Sequence, residues 1–335
     1  MSTPASADRI RLAAWFGEPP APATTDAAGL SHLRSLLACP ACRSALEWET
    51  ELARCEACGS AYEVRDGIPV LLPPEAAASS HKSRQASFFD EADPEFEITR
   101  PHGTPWLYRR LLAEKFRRSL AGLDLPPGTA ALTMCGGSGM DAEFLARAGF
   151  EVIAADLSFE AARRAQQRAL RHNLPILPVV ADAEALPFAD AAVDLVYVHD
   201  GLHHLETPAA GLHEMLRVSR TAVSVNEPAR AQATLLATRL GLAEHYEDAG
   251  NFIARLDPAW LAATVSGAGF EIVRSERYAM VYRHVPGRFA RLLSQPGLRW
   301  LTRAALDGFN AVAGGVGNKL TLQAVRRDRA GAGAR

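Results

Sequence analysis

From Trp106 onward, short apolar runs alternate with stretches whose apolar residues recur every three to four positions. That switch between periods of two and 3.6 marks α/β architecture. Residues 130–134, 151–155, 176–180, 193–198 and 222–225 are predicted strands, with helices over 141–148, 159–172 and 209–218 between them. Strands joined through helices imply a mostly parallel sheet covered on both faces. Two further strands, 270–282 and 319–325, flank a helical region at 288–312. Ahead of Trp106 the pattern weakens. Residues 1–30 are rich in Ala, Pro, Thr and Ser and read as a mobile leader, residues 31–75 form a small unit of their own, and 76–105 read as a linker and lid.

Composition bounds what this chain does. At 335 residues and 48% hydrophobic it has room for more than one domain and is too apolar to be mostly disordered. No stretch approaches the roughly 20 apolar residues of a membrane span, and the first 25 residues lack an apolar core ahead of a cleavage site. A cytoplasmic protein with no membrane partner is expected. A net charge of −2 argues against a protein held on nucleic acid by bulk electrostatics.

In a reducing compartment the four clustered cysteines are not read as disulfides. Cys39-Pro-Ala-Cys42 and Cys55-Glu-Ala-Cys58 are two CxxC knuckles twelve residues apart. Four thiolates close a tetrahedron around Zn²⁺ with no open position, a structural site for a segment too small to fold on its core alone. An iron centre or redox thiols are the alternatives. Gly59 follows the second knuckle, where positive φ is commonly needed. With Tyr62 and the tail Asp66-Gly67-Ile68-Pro69, this segment resembles the zinc ribbon of the small activator subunit that partners tRNA, rRNA and translation-factor methyltransferases. It also resembles bacterial domains of that family fused ahead of a methyltransferase, so the partner would here lie in cis.

Directly after the first strand comes Cys135-Gly136-Gly137-Ser138-Gly139-Met140-Asp141-Ala142, and Asp156 ends the second strand. Glycines there permit a tight turn and close approach of a ligand to free N–H groups, and a carboxylate at the next strand end suits two ribose hydroxyls. A nucleoside-containing ligand is implied, and Gly137 to Ala142 alone also satisfies a nicotinamide-dinucleotide fingerprint. Asp182-Ala183-Glu184-Ala185-Leu186-Pro187-Phe188, Val193-Asp194-Leu195-Val196, Leu202-His203-His204-Leu205 and Glu214-Met215-Leu216-Arg217-Val218 then resemble, in order, the blocks of class I S-adenosylmethionine-dependent methyltransferases.

That resemblance covers about residues 107–326, within a methyltransferase domain taken as 106–335, and implies a Rossmann-like sheet, parallel with an antiparallel last strand. It also implies contacts from Gly137 and Gly139 to the methionine part of S-adenosyl-L-methionine, from Asp156 to the ribose, and from Asp182 and Ala183 to the adenine. The family usually carries an acid where Thr133 stands and a glycine where Cys135 stands, and Asp141 is a candidate substitute. Arg100, in the expected lid, is placed to meet the methionine carboxylate.

Methyl transfer needs an acceptor held in line and, where it is protic, a base. The candidates at the strand mouths are His199, Asp200, His203, His204 and Glu227, which also suit turn-capping or a catalytic metal. His245, Tyr246, Asn251, Tyr282, Arg283 and His284 fall where they would overhang a pocket. The expected acceptor is a small molecule. An rRNA or tRNA base is the alternative, with the tail from Arg288 in its favour, where nine basic residues stand against two acidic. A nicotinamide-dependent oxidoreductase and a catalytically silent binding module complete the readings.

Overall fold

The computed structural model describes residues 27–230, 255–280 and 283–327. Most of the expected leader, the overhanging residues His245, Tyr246, Asn251 and Tyr282, and the end of the basic tail lie outside the described residues.

The strands of the main body are β5 (Ala130–Met134), β6 (Glu151–Asp156), β7 (Ile176–Ala181), β8 (Val193–His199), β9 (Ser219–Pro228), β10 (Phe270–Tyr278) and β11 (Lys319–Arg326). β5 to β9 run parallel in the order β7-β6-β5-β8-β9, and β11 enters antiparallel between β9 and β10. Strands β5, β7 and β8 are buried almost throughout, as their apolar runs require. Covering helices are α5 (Trp106–Leu120), α6 (Met140–Arg147), α7 (Phe159–His172), α8 (Pro208–Val218) and α9 (Pro258–Gly267). They build two apolar cores, one on each face of the sheet.

Local chemistry explains the element ends. Ser158 caps α7 by accepting from Ala161 N at 2.9 Å, and Asn173 closes the helix in the left-handed region at φ 48°. Gly139, at φ +76°, opens α6, and a Cβ there would stand 2.9 Å from the Ala165 Cβ. This glycine lets α6 and α7 touch.

The four-cysteine segment consists of α1 (Ala27–Ser35), β1 (Glu47–Trp48), β2 (Leu52–Arg54), β3 (Ala61–Arg65) and β4 (Ile68–Leu71). Asp66 and Gly67 both have positive φ, which folds β3 onto β4 in a two-residue hairpin. β4 then pairs in parallel with β7, Val70 against Val180 and Leu71 against Ala181, so the segment extends the main sheet to eleven strands. Leu33, Leu37 and Leu71 share an apolar core with Val179 and Phe188.

Residues read as a linker are helical: α2 (Pro74–Ala78) and α3 (Ser80–Asp90), followed by α4 (Pro94–Thr99). Ser79 caps α3 through Lys82 N, and Asp93 caps α4 through Glu95 N and Phe96 N. Their weak apolar periodicity reflects what they cover, which is a cavity rather than a core. α10 (Arg288–Leu293) and α11 (Arg299–Ala313) precede the last strand.

Candidate active site

Beyond the carboxyl ends of β5 to β9 lies a cavity of about 1020 Å³, roofed by α3 and α4. This is where open parallel sheets bind ligands. Gly137, Asp156, Asp182, Ala183, His199, Asp200, His203, His204 and Arg100 all line it. Two of the expected residues stand elsewhere. Gly139 faces Ala165 at the helix junction, and Glu227 is fully buried behind His203.

The turn after β5 is strained in a way that exposes its glycine preference. Cys135 takes φ 51°, in the left-handed region. Gly136 follows with no room for a side chain, since a Cβ would lie 2.8 Å from Thr133 Oγ1. Gly137 at φ +51° has nothing within 4 Å of the Cβ position, so its backbone is open to the cavity. Burial pushes the Cys135 thiol up, with Asp156 adding to the effect. A thiol so raised is a poor nucleophile.

Asp156 accepts from Gly137 N at 2.8 Å and from Ser158 N at 2.9 Å. Burial raises its carboxyl above the ordinary value despite those bonds. Asp182 accepts from Glu184 N at 2.9 Å and meets Lys82 Nζ at 2.6 Å, which also bridges to Glu184 at 2.9 Å. Lys82 thereby ties the roof helix α3 to the rim beyond β7.

At the mouths of β8 and β9 stand three acid–base groupings, the first two in contact through His199 Nε2 and Asp200 Oδ2 at 3.6 Å. His199 Nδ1 stands 3.1 Å from Asp141 Oδ1. Asp200, at φ 51°, lies between Lys115 Nζ at 2.5 Å and Lys319 Nζ at 2.6 Å. Burial opposes its charge, but the two ammonium groups hold it well below the usual carboxylate range. A carboxylate so neutralised is a poor base. Glu227 accepts from Gly201 N at 2.7 Å and Leu202 N at 2.8 Å through Oε1, and its Oε2 meets His203 Nδ1 at 2.7 Å. An ionised carboxylate only accepts, so Nδ1 carries the proton and the lone pair sits on Nε2. The His204 ring stacks obliquely on His203 at 4.3 Å and meets the edge of Phe89 at 5.6 Å.

Arg100 is engaged inside the roof. Its guanidinium meets Glu97 at 3.0 Å and donates to Tyr108 Oη at 3.4 Å. Burial would raise the Glu97 carboxyl, yet Arg100 and His284 bring it down to about 2. Arg168 of α7, fully buried, donates to Ser138 O, Arg100 O and Glu97 O and pairs with Glu143 at 2.6 Å, clamping α4 to the main body. Sequence reasoning missed Lys82, Lys115, Arg168 and Lys319, whose partners lie 25 to 119 residues away with no local signal.

In the small segment the sulfurs of Cys39, Cys42, Cys55 and Cys58 all lie within 4.8 Å of one another, with Cys39 and Cys58 3.6 Å and Cys42 and Cys55 3.4 Å apart. A tetrahedron with metal–sulfur bonds of about 2.3 Å has edges of about 3.8 Å, a spacing close to these, so the set suits Zn²⁺. Gly59 has the positive φ its place implies, and Arg43 takes the same region after the first knuckle. The cluster is consistent with a zinc ribbon.

The sheet order and the cavity define a Rossmann-like fold of the class I methyltransferase type. Residues 132–223 match the family described as methyltransferase domain. Among curated proteins, the demethylmenaquinone methyltransferase of Renibacterium salmoninarum is 30% identical over 148 residues, 43% of this chain and 58% of that one. The enzyme of the same description from Corynebacterium urealyticum is 34% identical over 138 residues, 40% of this chain and 54% of that one. The chain thus spans little more than half the length of these relatives. Among solved structures, that of the [4+2]-cyclase SpnF superposes with a TM-score of 0.51 at 20% identity, covering 78% of this chain and 99% of the other, which concerns the fold alone.

Proposed function

We propose that the protein transfers a methyl group from S-adenosylmethionine to a small, largely apolar acceptor bearing an ionisable hydroxyl. The observation that carries this reading is the cavity over parallel strand ends, where Gly137, Asp156 and Asp182 converge within a segment matching the methyltransferase domain family. That match supports methyl transfer over the nicotinamide reading. Bound there, the cofactor supplies an electrophilic methyl on a sulfonium.

The chain's own residues would do the rest. Asp156 keeps lone pairs beyond its two backbone bonds and takes the ribose hydroxyls, and the open space beside Gly137 admits close approach to its backbone. Asp182 and Ala183 border the adenine, with Lys82 holding the strand-end carboxylate in place. His203 takes the acceptor's proton on Nε2, and Glu227 fixes its tautomer and stabilises the imidazolium. His199, His204 and Asp200 shape and charge the same wall. Phe88, Phe89, Phe96, Met280 and Val285 supply an apolar acceptor side. The curated relatives support a reduced demethylnaphthoquinone as the first acceptor to try. Zn²⁺ held by Cys39, Cys42, Cys55 and Cys58 serves the fold.

Parallel calorimetric titrations with S-adenosylmethionine, its demethylated product and NAD test the cofactor assignment without an acceptor. Binding of the first two alone is expected, and binding of neither overturns it. Transfer of labelled methyl to a short-chain demethylnaphthoquinol tests the acceptor class.

A further inference from the structure

The helical region before the last strand is turned inside out. In α11, Trp300, Leu301, Ala304, Ala305, Phe309 and Val312 recur at spacings that place them on one broad face. That face points to solvent: Trp300 is 71% and Val312 91% exposed. The opposite side carries the polar anchors. Thr302 Oγ1 donates to Leu293 O at 3.2 Å, and Asn310 both donates to Ala279 O and accepts from Ala279 N. Phe289 and Leu292 of α10 continue the exposed apolar surface, as do Val285 before it and Val316 after. A face of this size on a surface helix calls for an occupant.

Charge selects which one. Arg283, Arg288, Arg291, Arg299 and Arg303 are all exposed, and no Asp or Glu occurs between Arg283 and Leu306. Asp307, the next acid, already pairs with Arg110 and Arg303. A twofold contact between copies would set these cations against one another. An anionic bilayer surface complements them while its acyl boundary accepts Trp300, Leu301 and Phe309. We infer that α10 and α11 form a docking face for an anionic lipid surface. A surface helix needs no spanning segment, so the lack of one among the described residues says nothing against it.

The face also adjoins the cavity. Arg283, His284 and Val285 line the cavity rim and lead into α10 within three residues. A protein seated this way presents the apolar mouth of the cavity to the membrane. The docking itself stands apart from the proposed methyl transfer and is tested without cofactor or acceptor.

The full chain is sedimented with phosphatidylcholine vesicles, with and without about one-third phosphatidylglycerol, at low and high salt. Binding to the anionic vesicles only, weakening as salt rises, is expected. R288E/R291E should weaken it at least about 25-fold, since each lost arginine is worth about fivefold near an anionic surface. F309S/V312S, whose side chains are exposed and leave the fold intact, should abolish it. Equal binding to neutral vesicles, no binding to either, or binding that both variants leave unchanged overturns the proposal. So does a dimer in sedimentation equilibrium that F309S/V312S dissociates, or salt-sensitive RNA binding by a protein that ignores vesicles.

Discussion

Replacing Glu227 with glutamine probes the proposed base with almost no change of shape. The glutamine carbonyl inherits the bonds from Gly201 N and Leu202 N at 2.7 and 2.8 Å. Its amide then takes the place of Oε2 and turns two N–H donors toward His203 Nδ1, 2.7 Å away. Two donors cannot share that contact, so the imidazole shifts its proton to Nε2 and loses the lone pair that the proposed mechanism uses. Removing a positioned base costs about 10²- to 10⁴-fold, or about 2.7 to 5.5 kcal/mol of barrier. The expected result is a kcat lowered within that range, with cofactor affinity unchanged and stability reduced by about 1–3 kcal/mol for the imperfect buried contact. Two assays separate the steps. Nitrogen-15 NMR of the histidine rings should report Nδ1–H in the native protein and Nε2–H in E227Q. Methyl transfer from labelled cofactor gives kcat and KM. A variant with the altered tautomer and a kcat within about threefold of the native value would refute the base assignment, and an unaltered tautomer would refute the hydrogen-bond logic beneath it.

Asp156 carries a sign that can be checked by pH. Its folded carboxyl is raised, so acidification protonates it earlier than an ordinary aspartate, about 3.9 in the unfolded chain. Cofactor affinity should fall as pH drops through the raised value, whereas this group's contribution to folding stability should rise over the same window. Affinity by calorimetry that holds steady down to the ordinary aspartate range would remove Asp156 from the ribose. Cys39→Ser should yield less than stoichiometric zinc by elemental analysis and a loosened amino-terminal segment, and a full zinc complement would reject the ligand set. Gly139→Ala sets a methyl 2.9 Å from Ala165 Cβ at a φ of +76°, so the denaturation midpoint should fall by the equivalent of about 1–3 kcal/mol. An unchanged midpoint would mean the α6–α7 contact is slacker than it looks.

The main sheet was legible because its strands are buried on both faces, and continuous apolar runs between amphipathic helices have few other solutions. That Gly137, Asp156 and Asp182 stand at the cavity was legible for a related reason: each sits within a few residues of a strand end, so local sequence places it. The division of labour among the acid–base residues was not. Asp200 is neutralised by Lys115 and Lys319, and His203 is set by Glu227, through contacts that only the folded sheet creates. The roof was hidden for a different reason. α3 and α4 bury little apolar surface and owe their position to polar ties, Lys82 on Asp182 and Arg168 on the α4 carbonyls. Hydrophobic periodicity does not register such ties.

The parallel pairing of β4 with β7 bears on how this protein can be cut or grafted. A truncated chain begun after Leu72, as the composition of the following residues invites, would strip the outer neighbour from a strand buried along its whole length. β7 would then offer bare backbone donors and acceptors beside Val180 and Ala181, a template for strand addition by another chain. The amino-terminal segment is in this sense the selvage of the sheet, and trimming it should turn a well-behaved protein into an aggregating one.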